Sequence, residues 1–260
     1  MADAGALPRL DRAVVALAAL VVGIHILVNA LTPYGVHRDE FLYVAMGEHL
    51  RLWHMDFPPF IAIVARASLL FGDSLVALRM APALAGGAIV LATGAIAREL
   101  GGRAAAQRLA ALAVATAPLF LRPGNLFQPV VFDQLWWTLA LLALLRMRRT
   151  GDRRWWLAIG VALGVGLLTK FSIAFIGVGV VLALLLVPER RDVLTRWPWL
   201  ALVVALLLGS PSLVGQLALD FPVGWQMRDL QRAQLDRLQW LDFVLGQPAQ
   251  LGPTFLLALI

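Results

Sequence analysis

The residues best suited to chemistry stand in a short polar loop that follows the first apolar stretch. Asp39 and Glu40 are adjacent there, directly after His37 and Arg38. A carboxylate at the mouth of a low-dielectric bundle has a raised pKa, and it can take a proton from a hydroxyl group as a general base. Neighbouring residues of a helix point about 100° apart, so we expect one carboxylate to face a reactant while Arg38 and His37 hold the other. The alternative is that both carboxylates are merely solvated.

Lys170 and Asp133 are ionisable residues at the margins of long apolar stretches. Lys170, the one lysine in the sequence, stands between two such stretches, and Asp133 lies inside the start of another. Ionisable residues in hydrocarbon are costly and mark functional sites by default. An ammonium group suits a phosphate as a point charge, whereas we expect Asp133 to face a cavity or a partner helix. The alternatives are that Lys170 extends to the interface and that Asp133 makes only a structural hydrogen bond.

His54 and Asp56 form a weaker candidate pair, which precedes Pro58 and Pro59. A protein metal site has three or four ligands with defined spacing, and a pair two residues apart falls short of that. We therefore expect no metal site and no cofactor, although a need for a divalent ion stays open. The prolines favour an extended backbone before the next segment, so shaping the loop is the simpler role of this stretch.

The composition predicts an all-α polytopic membrane protein. Hydrophobic residues make up 60% of the 260 residues and charged residues 15%, against about 45–50% and about 25% in soluble domains. The net charge of +6 does not indicate nucleic-acid binding, because the arginines fall in short gaps between apolar stretches. The absence of cysteine excludes disulfides and thiolate metal sites.

About seven transmembrane helices are predicted within a single domain that covers residues 1–260. They span residues 13–31, 80–98, 109–121, 126–145, 155–169, 171–187 and 197–214. The first stretch is longer than the apolar core of a signal peptide, which has about 7–15 residues. We therefore expect it to be retained as a helix.

Two polar segments, 32–79 and 215–250, are predicted to lie outside the bundle of spans. In the first outer loop, residues 40–50 predict an amphipathic interfacial helix, and residues 57–72 are placed at the interface because they are short and begin with two prolines. The second segment has the spacing of a surface amphipathic helix. The apolar run 255–260 is too short for a span, so we expect the sequence to be the N-terminal part of a longer protein.

The distribution of arginines predicts the orientation. With residues 57–72 at the surface, one side receives the arginine clusters Arg9, Arg12, Arg98, Arg103, Arg108, Arg146, Arg148, Arg149, Arg153, Arg154, Arg190, Arg191 and Arg196. The short connections on the opposite side hold only Arg122 and Lys170. The basic side is therefore expected in the cytoplasm, and both polar segments outside.

Several short motifs follow one another in a recognisable order. They are Asp39-Glu40, Asp56-Phe57-Pro58-Pro59, Phe71-Gly72-Asp73-Ser74, Leu78-Arg79-Met80-Ala81-Pro82 and Leu168-Thr169-Lys170. Together they resemble the bacterial C-type (GT-C) glycosyltransferases, and more narrowly the relatives of protein O-mannosyltransferase and of the lipid A aminoarabinose transferase. The resemblance runs over nearly the whole chain, which corresponds to the N-terminal part of the family's usual length.

The resemblance implies sugar transfer from a polyprenyl-phosphate carrier to a lipid, glycan or protein acceptor, at the extracytoplasmic face of a bacterial inner membrane. It implies that Asp39 is the catalytic base or orients the acceptor, with support from Glu40. Lys170 and Arg38 would bind the donor phosphate.

Many relatives carry a second acidic residue at the start of the fourth span, in the stretch that aligns with residues 128–133. Val130 stands here at the expected position. Asp133, one helical turn later, would take that role.

Two other classes of function remain open on the sequence. A transporter or flippase would move a lipid-linked sugar without breaking bonds, and it would carry ionisable residues near the middle of several spans. Asp133 fits that description, whereas the other candidates cluster on one face. The second alternative is a non-catalytic fragment, which the abrupt end at Ile260 would explain.

Overall fold

The computed structural model describes residues 8–186 and 188–259, and every regular element in them is helical. Residues 1–7 and 260 of the expected domain lie outside the described residues, as does residue 187 at the end of the sixth expected span. The main helices are α1 (Arg12–Leu31), α2 (Arg38–Glu48), α3 (Phe60–Leu69), α4 (Leu75–Glu99), α5 (Ala104–Thr116), α6 (Pro118–Gly124), α7 (Pro129–Thr150), α8 (Trp155–Thr169), α9 (Ala174–Leu186), α10 (Arg196–Ala218), α11 (Pro222–Ala233) and α12 (Trp240–Leu251).

Local sequence signals set the limits of these helices. The Asp11 carboxylate accepts a hydrogen bond from the Ala13 N–H at the start of α1, and the Ser74 hydroxyl accepts one from the Ala77 N–H at the start of α4. Such side-chain oxygens satisfy backbone donors that have no partner inside the helix. Gly151 ends α7 with φ of 68°, a conformation that glycine adopts without steric cost.

Among the described residues, four helices are long and apolar enough to cross a membrane, namely α1, α4, α7 and α10. The helices α5 and α6 would add a fifth span only as a pair, because they are bent by 62° at Ala117. Pro118 follows that residue and restricts it to an extended backbone. The chain is thus a membrane protein with several apolar helices.

The predicted number of about seven spans is not confirmed. The helix α8 has 15 residues, which gives it a length of about 22 Å against a hydrocarbon core of about 30 Å. An extended backbone at Lys170 separates it from α9. These two helices are apolar but shorter than a full span.

The first outer loop folds as the helix pair α2 and α3. At Gly47 of α2, a Cβ atom would come within 2.8 Å of the Ala65 Cβ of α3, so the two helices approach closely. The ten residues of α3 reach about 15 Å, which is too short to cross a bilayer. The predicted helix over residues 40–50 is observed two residues earlier, and its amphipathic, interfacial character is not confirmed.

Polar contacts join the helix termini at two opposite ends of the bundle. At the end that we call the basic end, Asp11 pairs with Arg108 at 2.8 Å, and Arg153 pairs with Asp192 at 2.8 Å. There, too, Glu99 at the end of α4 lies among arginines of α4 and α7. The members of the basic end are Arg98, Arg108, Arg146, Arg149 and Arg153 with Asp11, Glu99 and Asp192. The opposite end carries the loop with α2 and α3, and we call it the loop end.

Small residues let the spans pack closely. At Gly160 of α8, a Cβ atom would lie 2.5 Å from the Ala201 carbonyl oxygen of α10, and at Gly164 it would lie 2.9 Å from the Ala205 carbonyl oxygen. Without a strong hydrophobic force between helices in lipid, such close backbone contact is a main source of association.

We expect Gly160→Ala to destabilise the bundle, because the added methyl group overlaps the α10 backbone. The cost of overpacking is about 1–3 kcal/mol, visible as a lower Tm of the purified protein in detergent. Gly23→Ala is the matched control, since nothing lies within 4 Å of a Cβ atom at that helical position. Equal Tm values for both variants would show that α8 and α10 do not pack as described.

Candidate functional site

The start of α2 fixes the geometry of the acidic pair. The backbone N–H of Asp39 donates to His37 Nδ1 at 3.2 Å, and the backbone N–H of His37 donates to Glu40 Oε2 at 2.6 Å. This reciprocal capping satisfies two donors at the helix terminus. The two carboxylates therefore point in different directions, as the sequence predicts.

Glu40 is fully buried and its carboxylate is saturated with hydrogen bonds. Oε1 accepts from Arg79 Nε and from the backbone N–H of Phe127, each at 2.7 Å. Oε2 accepts from Arg79 Nη2 at 2.7 Å and from His37. Burial raises the pKa of Glu40, but the bonds from Arg79, Phe127 and His37 outweigh it and hold the pKa below its usual value.

This geometry gives Glu40 a structural role, because its oxygens are buried and engaged with the protein. A catalytic role for Glu40 stays a prediction. Arg79, which completes the pair, is also buried and donates from Nη1 to Asn29 of α1 at 3.0 Å. Glu40 and Arg79 are positioning residues that join α1, α2, α4 and the start of α7.

Asp39 keeps an accessible carboxylate, with 37% of its side chain exposed. Oδ2 accepts a hydrogen bond from Gln128 Nε2 at 3.3 Å, and Oδ1 lies 3.3 Å from Arg38 Nε. The Arg38 side chain is 91% exposed, and this is its one ion pair among the described residues. Burial and the charge of Asp39 both raise the pKa of Tyr43, so the phenol beside this carboxylate stays protonated. Asp39 is thus the accessible member of the pair.

The second polar group at the loop end lies where α7 meets the break after α8. Ser172 Oγ donates to Asp133 Oδ2 at 2.7 Å, and Lys170 is close enough for its charge to act on Asp133. Asp133 is 9% exposed, and its Oδ1 has no hydrogen-bond partner among the described residues. Lys170 itself is exposed. The structure therefore brings Asp133 and Lys170 together.

The helix α7 connects the two polar groups. Gln128, which holds Asp39, is the residue before α7, and Asp133 follows it by five positions, a rise of about 7.5 Å along the helix axis. Trp136 Nε1 of the same helix donates to Thr169 Oγ1 at 3.1 Å, which places Lys170 beside this end of α7. Asp39, Asp133 and Lys170 thus share the loop end of the bundle.

Among the described residues, no hydrogen bond or ion pair joins His54 or Asp56 to these groups. Asp56 Oδ1 accepts from the adjacent Phe57 N–H at 3.1 Å, and its carbonyl accepts from Gln216 Nε2 of α10 at 3.0 Å. His54 is exposed. In the described part of the chain, no three His, Asp or Glu side chains are grouped closely enough to hold a metal ion.

Sequence reasoning missed the roles of Arg79, Asn29, Gln128 and Ser172. The sequence could have indicated the role of Arg79, because an arginine one turn inside a 25-residue apolar helix requires a partner. The others are uncharged side chains whose spacing indicates no role. Only folding brings Gln128 and Ser172 to an acidic residue and Asn29 to Arg79.

We expect Glu40→Gln to lower stability and to flatten its dependence on pH. Because the pKa of Glu40 is lowered in the folded protein, the unfolded chain binds the proton first as the pH falls, near the usual glutamate pKa of 4.5. This contribution to stability is complete above that value and is lost as the pH falls through the lower folded-state pKa. Breaking a buried pair costs about 3 kcal/mol or more at neutral pH.

Thermal unfolding in detergent between neutral and acid pH tests this expectation. Glu48→Gln, at an exposed position at the end of the same helix, is the control and should match the unmodified protein. A pH dependence of Glu40→Gln as steep as that of the unmodified protein would contradict the assignment.

Comparison with known proteins identifies the family. Residues 56–214 match the family described as dolichyl-phosphate-mannose-protein mannosyltransferase. The matched range includes Asp133 and Lys170 and begins after Asp39 and Glu40. Neither a curated protein nor a solved structure matches the chain. Since the match covers more than half of the 260 residues, the chain belongs to the dolichyl-phosphate-mannose-protein mannosyltransferase family of membrane GT-C glycosyltransferases.

Proposed function

We propose that this protein transfers a sugar from a polyprenyl-phosphate carrier to a lipid, glycan or protein acceptor at the loop end. The observation that carries the proposal is the difference in burial between Asp39 and Glu40. Glu40 is buried and saturated, whereas the adjacent Asp39 presents an exposed carboxylate that Gln128 holds at the start of α7. A protein that needed only a structural anchor would have no use for the second carboxylate.

Asp39 acts as the base towards the acceptor. It takes the proton from the acceptor hydroxyl, and the acceptor oxygen attacks the anomeric carbon of the sugar. The bond between that carbon and the carrier phosphate breaks, and the phosphate leaves with the electron pair. Positive charge where the phosphate gains negative charge stabilises this transition state.

Lys170 and Arg38 supply that positive charge. Both side chains are exposed at the loop end, and an exposed ammonium on an extended backbone can reach a phosphate group. Asp133 lies beside Lys170 and orients it, and it fills the second acidic role expected of the family.

Apolar grooves beside Lys170 suit the tail of the donor. Two cavities of about 350 and 360 Å³ lie between α8, α9 and α10 and share Leu163, Gly177 and Val181. The first is also lined by Ile173 and Ala174, which follow Lys170 closely in the chain. A lipid chain in this groove would bring its phosphate to the ammonium.

The proposed orientation places the basic end in the cytoplasm and the active site outside. Positively charged residues near the ends of spans favour the cytoplasmic side, and the basic end holds the arginines of α4, α5, α7 and the start of α8. In a bacterium this orientation corresponds to a multi-pass inner-membrane protein with its site in the periplasm.

One observation favours a second candidate function, the transport of a lipid-linked sugar. Asp133 is a buried ionisable residue of a span with an oxygen that has no partner among the described residues, as the moving site of a transporter would have. A transporter would carry a labelled polyprenyl-phosphate sugar across the bilayer without breaking the bond between the sugar and the carrier phosphate.

Asp39→Asn should leave a folded protein with little transfer activity. A general base contributes about 10²–10⁴-fold to the rate, and we expect kcat to fall by that factor while KM for the donor changes little. The measurement is transfer of labelled sugar from a polyprenyl-phosphate donor in proteoliposomes of the full-length protein. Asp229→Asn, on the exposed face of α11, is the control, and full activity in Asp39→Asn would refute the role.

Lys170→Met should raise KM for the donor. Losing a hydrogen bond to a charged group costs about 1.5–3 kcal/mol, which corresponds to roughly a ten- to hundredfold change. Lys170→Arg should restore part of the loss because it retains the charge. Arg122→Met, an exposed cation at the end of α6, is the control, and an unchanged KM in Lys170→Met would remove Lys170 from the phosphate site.

A further inference from the structure

A groove on the surface of the bundle ends in a cation at the basic end. It lies between α7 and α8, has a volume of about 390 Å³ and is lined by aliphatic and small side chains such as Leu139, Ala143 and Val161. Arg146 and Trp155 close it at the basic end, and Trp136 borders it towards the loop end. Trp136 and Arg146 are ten residues apart on α7, which corresponds to about 15 Å along the helix. The groove is long, apolar and charged at one end.

The basic end keeps unbalanced positive charge beside this groove. The buried carboxylate of Glu99 accepts from Arg98 Nη2 at 2.8 Å, from Arg146 Nε at 3.2 Å and from Arg149 Nε. Three guanidinium groups therefore share one carboxylate, which leaves two positive charges without a counter-charge inside the cluster. Arg98 Nε is buried and has no hydrogen-bond partner among the described residues. The cluster therefore carries a net positive charge that an anion would neutralise.

Arg146 is held in position to receive that anion. Its guanidinium carbon lies 5.2 Å from the centre of the Trp155 ring, a stacking geometry that orients the group. Its Nε is committed to Glu99, while its two Nη groups make no hydrogen bond to any described residue. The side chain is 29% exposed. Two donors thus face the mouth of the groove.

We propose that this groove and the Arg146 cluster bind an anionic phospholipid. One acyl chain lies in the groove between α7 and α8, and the phosphate accepts hydrogen bonds from the Nη groups of Arg146. Basic pockets between transmembrane helices on the cytoplasmic side are suited to anionic lipid head groups. This site is at the opposite end of the bundle from Asp39 and Lys170, so it rests on the proposed orientation but not on the proposed sugar transfer.

Bound lipid should be measurable on the intact protein without any activity assay. Native mass spectrometry in detergent, with phosphatidylglycerol or phosphatidylcholine added, should show preferential retention of phosphatidylglycerol. By mass action a ligand that binds only the folded protein stabilises it, so phosphatidylglycerol should also raise Tm above the value in phosphatidylcholine.

Arg146→Met should weaken phosphatidylglycerol binding by about five- to tenfold, since an arginine near anionic lipid contributes on the order of 1 kcal/mol or more. Arg196→Met is the matched control. Arg196 also stacks on a tryptophan, at 5.0 Å from the Trp197 ring centre, but it has no part in the groove. The control should retain the lipid as the unmodified protein does.

Val161→Trp keeps the charges and fills the groove, so it tests the acyl-chain site even if Arg146→Met fails to fold. We expect this variant, too, to lose the preferential retention of phosphatidylglycerol. Equal retention of both lipids by the unmodified protein, or unchanged retention in a folded Arg146→Met or Val161→Trp variant, would overturn the proposal. An equal rise of Tm with inorganic phosphate alone would also overturn it, because that would show that the acyl chain is not recognised.

Discussion

The buried ion pair between Arg79 and Glu40 is the interaction on which the loop end depends. Removing two charges from water is expensive, and the pair is tolerable only because nearly every donor and acceptor is used. Arg79 donates a hydrogen bond to Asn29, and Glu40 accepts hydrogen bonds from the backbone N–H groups of His37 and Phe127. Four separate stretches of chain must therefore meet at one point. Loss of either charge would leave the other buried without compensation.

This anchor explains how a short loop can present one carboxylate reliably. Since Glu40 is fixed, the neighbouring Asp39 must project from the first turn of α2 towards Gln128. The catalytic group that we propose is therefore placed by its anchored neighbour together with its own contact to Gln128. Such preorganisation is useful in transfer reactions, because a base is effective only within hydrogen-bonding reach of the acceptor.

The hydrocarbon core of the bilayer explains why the charged side chains gather at the two ends of the helix bundle. Backbone groups within the spans are satisfied by their own helices, and small residues such as Gly160 and Gly164 allow close packing between them. Charged side chains collect where the helices end. The loop end presents the exposed side chains of Asp39, Arg38 and Lys170. The basic end has more cations than its acidic residues neutralise. That asymmetry links the proposed orientation to the proposed lipid site.

The sequence by itself determined the helical membrane class, the family and the segregation of arginines, because hydropathy and motif order are properties of local composition. It also indicated Asp39, Lys170 and Asp133 as residues worth attention. Its number of about seven full spans is not confirmed, since apolar composition does not reveal the bend at Ala117 or the break at Lys170.

Only the tertiary structure decided which carboxylate is available. Asp39 and Glu40 have the same charge and adjacent positions, and their difference arises from Arg79 and Phe127, 39 and 87 residues away from Glu40 in the chain. Whether a charge is buried or exposed depends on such distant partners, and no local pattern contains them.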